Sequence, residues 1–200
     1  MKTDVYRFER AVSDIDSVTE LAGKTAAYCG LDEKQKLRLE LLCEELVEML
    51  PNLLLYGEGK FWIENNGKNI EIHTVVQADD LLSGKDRSEI LAVSKSGRNS
   101  AAVGIMNKIR IAAETMLANY ALSVGTGGDV TCESSDMMDE LQDPIGYSGE
   151  WSLVNYRKTA VSGTDEWDEL EKSVIANLAD DVTVGIIKGK VEIAVKKSFE

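Results

Sequence analysis

Leu31–Gly57 reads LDEKQKLRLELLCEELVEMLPNLLLYG, and the reading of this stretch decides the fold. Leu39, Leu42, Leu46, Met49 and Leu53 recur at helical spacing, so a long helix with one apolar face is expected. Asp32 is a good N-cap, and Gln35 three residues later completes a capping-box pattern. Pro51 has no N–H and clashes with the preceding turn, so the helix is expected to kink or end there. Glu44, Glu45 and Glu48 lie beside the apolar face. Such a face must be covered, and the flanking sequence supplies the cover.

Upstream, residues 5–10 alternate weakly and read as an opening strand. Ser13 or Asp14 then caps a first helix with apolar positions Ile15, Val18, Leu21, Ala22, Ala26 and Cys29. Gly30 is its natural C-cap, so the two helices meet in a tight hairpin or a sharp corner.

Downstream, Lys60–Ala78 is the clearest β-hairpin. Phe61 and Ile63 alternate, Asn66-Gly67 supplies the turn, and Ile70, Ile72, Thr74, Val76 and Ala78 alternate after it. One face is apolar and the other polar, as in an antiparallel sheet with helices on one side. Residues 79–100 are rich in Ser, Gly, Lys and Asp, with a short helical piece at 87–93 and a loop, SKSGRN, at 94–99. A further helix starts between Ala101 and Gly104, with Met106, Ile109, Ala113, Met116, Leu117 and Tyr120 as its stripe. Residues 125–149 carry many acids and no Lys or Arg, and read as a long excursion or a mobile loop, with one helical turn at 136–141.

Trp151–Lys158 reads as a strand. Thr164 caps a helix bearing Trp167, Leu170, Val174, Ile175 and Leu178. Val182, Val184 and Ile186, a Lys188-Gly189 turn, and Val191, Ile193 and Val195 form a closing hairpin. The expected fold class is α/β (α+β): a two-layer sandwich in which a mixed, mostly antiparallel sheet carries helices on one face. The 200 residues are read as a single domain. Its parts are 1–122, an acidic excursion over 123–150, and a strand-helix-hairpin over 151–200 that completes the sheet.

The formal net charge of −13 argues against a nucleic-acid surface and against an anionic membrane. The opening residues MKTDVYRFERAVSD contain no apolar core of a secretion signal, so a cytoplasmic location is expected. Three cysteines, Cys29, Cys43 and Cys132, show no CxxC spacing, and buried reduced thiols are expected. His73 is the only histidine, which disfavours a zinc site and leaves no second histidine for a nucleophile pair. A structural role for His73, in mid-strand, is expected.

From Val5 to about Tyr120 the element order resembles the histidine-kinase-like ATPase (Bergerat) fold, in the flavour of the anti-sigma-factor serine kinases. That order is helix, helix with an acidic and Asn-bearing motif, hairpin, Asp-Gly-rich loop, lid and Gly-led helix. Gly59–Asn65 (GKFWIEN) and Ser96–Arg110 also resemble segments of uncharacterised bacterial proteins. The family's helix motif is Glu-x-x-x-Asn. Spacing to the hairpin favours the register Glu44-x-x-x-Glu48, with Glu48-x-x-x-Asn52 as the alternative. The resemblance implies Glu44 as the catalytic carboxylate and Glu48 as the Mg²⁺ ligand in the place of Asn. Asp80-Leu81-Leu82-Ser83-Gly84 is similar to the family's Asp-x-Gly-x-Gly, with Leu82 where the first Gly stands. Asp80 would hold the adenine amino group, with Asp79 as the alternative, and Gly84 would line the pocket. Gly97 in the SKSGRN loop and Gly104 at the next helix start would bind phosphates.

The resemblance therefore implies ATP and Mg²⁺ as cofactors and phosphorylation of a serine on a protein partner. The alternative is a pseudoenzyme of the same fold, a regulatory module that binds a protein without nucleotide. A homodimer is compatible with either.

Overall fold

A computed structural model describes residues 1–9, 15–53, 56–78, 151–160, 173–187 and 190–200. It also describes Ile105, Lys108, Ile109, Ile111, Ala112, Ala113, Thr115, Met116 and Leu170, all of them helical. The named elements are β1 (Tyr6–Glu9), α1 (Ile15–Cys29), α2 (Glu33–Leu53), β2 (Tyr56–Asn66), β3 (Asn69–Ala78), β4 (Trp151–Ser152), α3 (Leu153–Thr159), α4 (Val174–Leu178), β5 (Asp181–Ile187) and β6 (Lys190–Ser198).

The two long helices are defined at their ends by local chemistry. At the start of α2 the capping box closes in both directions. The Gln35 amide donates to Asp32 Oδ1 at 2.8 Å and the Asp32 amide donates to Gln35 Oε1 at 3.0 Å. At the end of α1, Gly30 adopts φ +64°, which only glycine reaches without strain. Its N–H donates to Ala27 O and that of Leu31 to Ala26 O, so the last carbonyls of α1 are satisfied and the chain reverses. Pro51 does not end α2 at once. The helix runs on to Leu53, because the proline sits in its last turn, where little ladder remains to lose.

The six strands form one sheet in the order β1-β2-β3-β6-β5-β4, and each described pair is antiparallel. The β2–β3 turn uses Gly67 at φ +62°, and pairing begins at Asn66 opposite Asn69. That register puts Phe61 and Ile63 of β2, Ile70, Ile72, Thr74 and Val76 of β3, Val191, Ile193 and Val195 of β6, and Val182 and Val184 of β5 on one buried face. Val18, Ala22 and Ala26 of α1 and Leu39, Leu42, Cys43, Leu46 and Val47 of α2 complete the same core. Each fully buried Leu, Ile or Phe contributes about 1.5–3 kcal/mol relative to exposure, so this face dominates the stability. The opposite face carries Lys60, Trp62, Glu64, His73, Val75, Glu192 and Lys196, all only partly buried. The architecture is therefore a two-layer α+β sandwich with its helices on one face.

One close approach fixes the edge of the sheet. Phe8 lies directly opposite Gly59, and its ring fills the space that a side chain at Gly59 would occupy. Phe8 is thereby buried on a strand of four residues.

Two sequence expectations change. Trp151–Lys158 is not a strand: pairing stops after Ser152 and α3 begins. Ser152 Oγ accepts from the Asn155 amide at 3.1 Å, and Asp181 Oδ1 accepts from the Val154 amide at 3.1 Å. Two caps on one short helix outweigh the strand propensity of a brief apolar run. The single stripe from Trp167 to Leu178 is also interrupted. Ser173 has extended backbone and caps α4 through its hydroxyl, which accepts from the Ala176 amide, so Val174–Leu178 is a separate helix. Arg157 of α3 donates to the carbonyls of Ala176, Ala179 and Asp180 and so satisfies the C-terminal end of α4. The elements expected at 87–93 and 94–99, the excursion over 125–149 and the helix start at 101–104 lie outside the described residues. In the helix that follows, Ile109, Ala113 and Met116 are buried as expected, and Ile105 and Ala112 join them.

Candidate functional site

The carboxylates of α2 follow from where its apolar face stops. Leu42, Cys43, Leu46 and Val47 are buried, which leaves Glu44 and Glu45 half-buried at the edge and Glu48 exposed one turn beyond Glu44. Desolvation raises the pKa of Glu45, and the nearby Glu48 and Glu44 charges raise it further. None of the three carboxylates has a cation partner among the described residues. Next to them, burial pushes the Cys43 thiol well above its ordinary range, with Glu44 and Glu40 adding to the rise, so this cysteine is protonated and inert.

Glu44 and Glu48 are thus brought onto one helix edge, at a spacing that makes them neighbours. Asp80, Asp79, Gly84, Gly97 and Gly104 lie outside the described residues, so their relation to that edge is not fixed. What is fixed is the strand that leads to Asp80. β3 is bonded to β2 on one side and to β6 on the other, and its inward row is Ile70, Ile72, Thr74 and Val76. Thr74 stands between Phe61 and Ile193, fully buried, and its hydroxyl has no hydrogen-bond partner among the described residues. Among the described residues, no three His, Cys, Asp or Glu side chains group in a way that could hold a metal ion.

The polar face of the sheet holds a constellation that sequence reasoning missed. Trp62 and His73 are cross-strand partners and their rings stack at 5.0 Å and 6°. The Lys2 ammonium lies 4.2 Å from the Trp62 ring centroid. His73 Nδ1 is 3.3 Å from Glu192 Oε1, and Nε2 is 3.5 Å from Glu71 Oε2. Glu64 accepts from Trp62 Nε1 at 2.8 Å and pairs with Lys2 at 3.1 Å. These contacts, the Lys2 hydrogen bond first, pull the Glu64 pKa down. The signal was present: period-2 alternation and the Asn66-Gly67 turn together determine that 62 faces 73 and 64 faces 71. His73 is held in a cross-strand network, in keeping with the structural role expected of it.

Among the described residues no helix is long and apolar enough to cross a membrane. Comparison with family models and with curated proteins finds no match.

Proposed function

We propose that this chain is a cytoplasmic regulatory domain of the histidine-kinase-like ATPase type, related in design to the anti-sigma-factor serine kinases and acting on a protein partner. The observation that carries the reading is the run from α1 to β3. Two helices lead into a hairpin whose second strand is central in the sheet, and the second helix bears at its edge carboxylates with no cation partner among the described residues. That is the element order the resemblance implies. In sequence, Asp80 has the same parity as Ile72, Thr74 and Val76, and the purine would be held there.

In this reading Glu44 would hold the partner's serine hydroxyl and take up its proton, and bound ATP would supply the phosphoryl group, with ADP as the leaving group. Glu48 offers carboxylate oxygen, the donor that Mg²⁺ prefers. Bound Mg²⁺ would neutralise charge on the phosphates. Gly84, Gly97 and Gly104 would let the backbone approach the nucleotide. The pseudoenzyme reading, a protein-binding module of the same fold, is favoured by Leu82, whose side chain stands where the family has glycine.

Calorimetric titration with ATP and ADP, with and without Mg²⁺, on the wild type and on Asp80→Ala, tests the proposal. Saturable binding that is lost in the variant is expected. No heat and no thermal stabilisation with either nucleotide would eliminate the ATPase reading and leave the binding module.

A further inference from the structure

A second feature of the polar sheet face is independent of the α2 edge. Arg7, Phe8, Glu58, Gly59, Lys60, Val75 and Lys190 line an open cavity of about 360 Å³. At about 30 Å³ per molecule, that is room for roughly ten waters, or for a small multiply charged molecule with part of its hydration. Arg7 is directly opposite Lys60, and Lys60 is directly opposite Val75. Lys190 enters from β6, one strand beyond Val75. Four adjacent strands, β1, β2, β3 and β6, therefore contribute to a single concavity: two residues from β1, three from β2, and one each from β3 and β6.

The charge is anomalous. Like charges placed directly opposite on neighbouring strands repel, and they are expected where something else compensates them. This chain has 35 acids against 22 bases, yet three cations meet here with Glu58 as the one carboxylate in the lining. Among the described residues, none of Arg7, Lys60 and Lys190 has an ion-pair partner. Glu192, opposite Val75 in the neighbouring strand, lies 3.3 Å from His73 Nδ1. The Trp62–His73 network thus withdraws a carboxylate that could otherwise quench the cations.

The geometry points to a binding site for a small polyanion, a molecule with two or more phosphate or carboxylate groups, held between the Arg7 guanidinium and the Lys60 and Lys190 ammonium groups. Arginine offers a planar fork for one oxyanion group and the lysines act as point charges for the next. Arg7, Lys60, Val75 and Lys190 have the parity of the sheet face away from the helices, so the cations are separate from the nucleotide site proposed above and the proposal does not rest on that reading.

The test is calorimetric titration at low ionic strength with inorganic pyrophosphate and, separately, with citrate. The proteins are the wild type, Arg7→Gln, Lys190→Gln and the double variant. Binding of at least one anion is expected, with affinity falling roughly tenfold for each charge removed, the scale of a charge-assisted hydrogen bond. Pyrophosphate alone would assign the phosphate class, and citrate alone the carboxylate class. Thermal unfolding without anion should show Arg7→Gln at or above the wild-type midpoint, because a repulsion is relieved. ADP binding that depends on Asp80 should persist in the double variant, which separates the two sites. No saturable binding of either anion, or equal affinity in the wild type and the double variant, would overturn the proposal.

Discussion

Gly59→Ala is the perturbation whose sign the structure determines most sharply. An alanine Cβ at 59 would sit 2.9 Å from Phe8 Cε1 and nearer still to Cε2 and Cζ, closer than carbon atoms approach. The backbone of Gly59 is not in the left-handed region, so alanine meets no conformational penalty there. By itself that would make the substitution favourable by about 0.4–1 kcal/mol, through the unfolded state. The Phe8 ring reverses this. It must leave its place on a short edge strand, and it forfeits much of a burial worth about 1.5–3 kcal/mol. Gly59→Ala is therefore expected to destabilise by about 2 kcal/mol in the wild-type background. In a Phe8→Ala background the obstacle is gone, and the same substitution should be neutral or stabilising. Urea unfolding followed by tryptophan fluorescence, with Trp62 and Trp151 as reporters, measures all four corners of the cycle. Equal costs in both backgrounds would refute the reasoning, because they would show that the ring is not what excludes the side chain.

Three further outcomes follow from single groups. Thr74→Val should raise stability by about 1 kcal/mol, since it removes a buried hydroxyl with no partner among the described residues; a loss of stability on urea unfolding would show that the hydroxyl is bonded. Glu45 has a raised pKa in the folded state, so the folded protein holds more protons and stability falls as pH rises above the ordinary glutamate value of 4.5. Glu45→Gln should therefore flatten that fall and raise the urea midpoint at neutral pH, and an unchanged pH profile would contradict the assignment. Arg157→Ala should cost about 1.5–3 kcal/mol by leaving the carbonyls of Ala176, Ala179 and Asp180 unsatisfied, with Arg157→Lys recovering only part of it in thermal unfolding.

The parts of the fold that were legible are those where periodicity and punctuation agree. The capping box at Asp32 and Gln35, the left-handed Gly30 and the Asn66-Gly67 turn each carry their own local chemistry, and the helices and hairpins they bound form as read. Trp151–Lys158 was misread because six of its residues form a helix whose second cap, Asp181, lies far along the chain, where no local window sees it. Ser173 broke a stripe whose apolar spacing continues across the break, so periodicity alone could not expose it. The clamp at the end of the chain was equally remote: Glu200 O accepts from Gln35 Nε2 at 2.8 Å and from Lys68 Nζ at 2.9 Å, joining α2 to the hairpin turn. For the candidate site, the sequence put Glu44 and Glu48 at the edge of the apolar face of α2, and that is where they stand. The convergence of Arg7, Lys60 and Lys190 was not legible, because it needs the strand order β1-β2-β3-β6. Local alternation assigns each residue a face but not a neighbour across the sheet.

The most direct test of the account follows backbone amide shifts in the ¹⁵N-labelled protein as Mg-ADP is added. Saturable changes are expected at Glu44 and Glu48 on α2 and at Val76 near the end of β3, absent in Asp80→Ala. No changes, or changes confined to Arg7, Lys60 and Lys190 on the opposite face, would contradict a nucleotide site between α2 and the sheet.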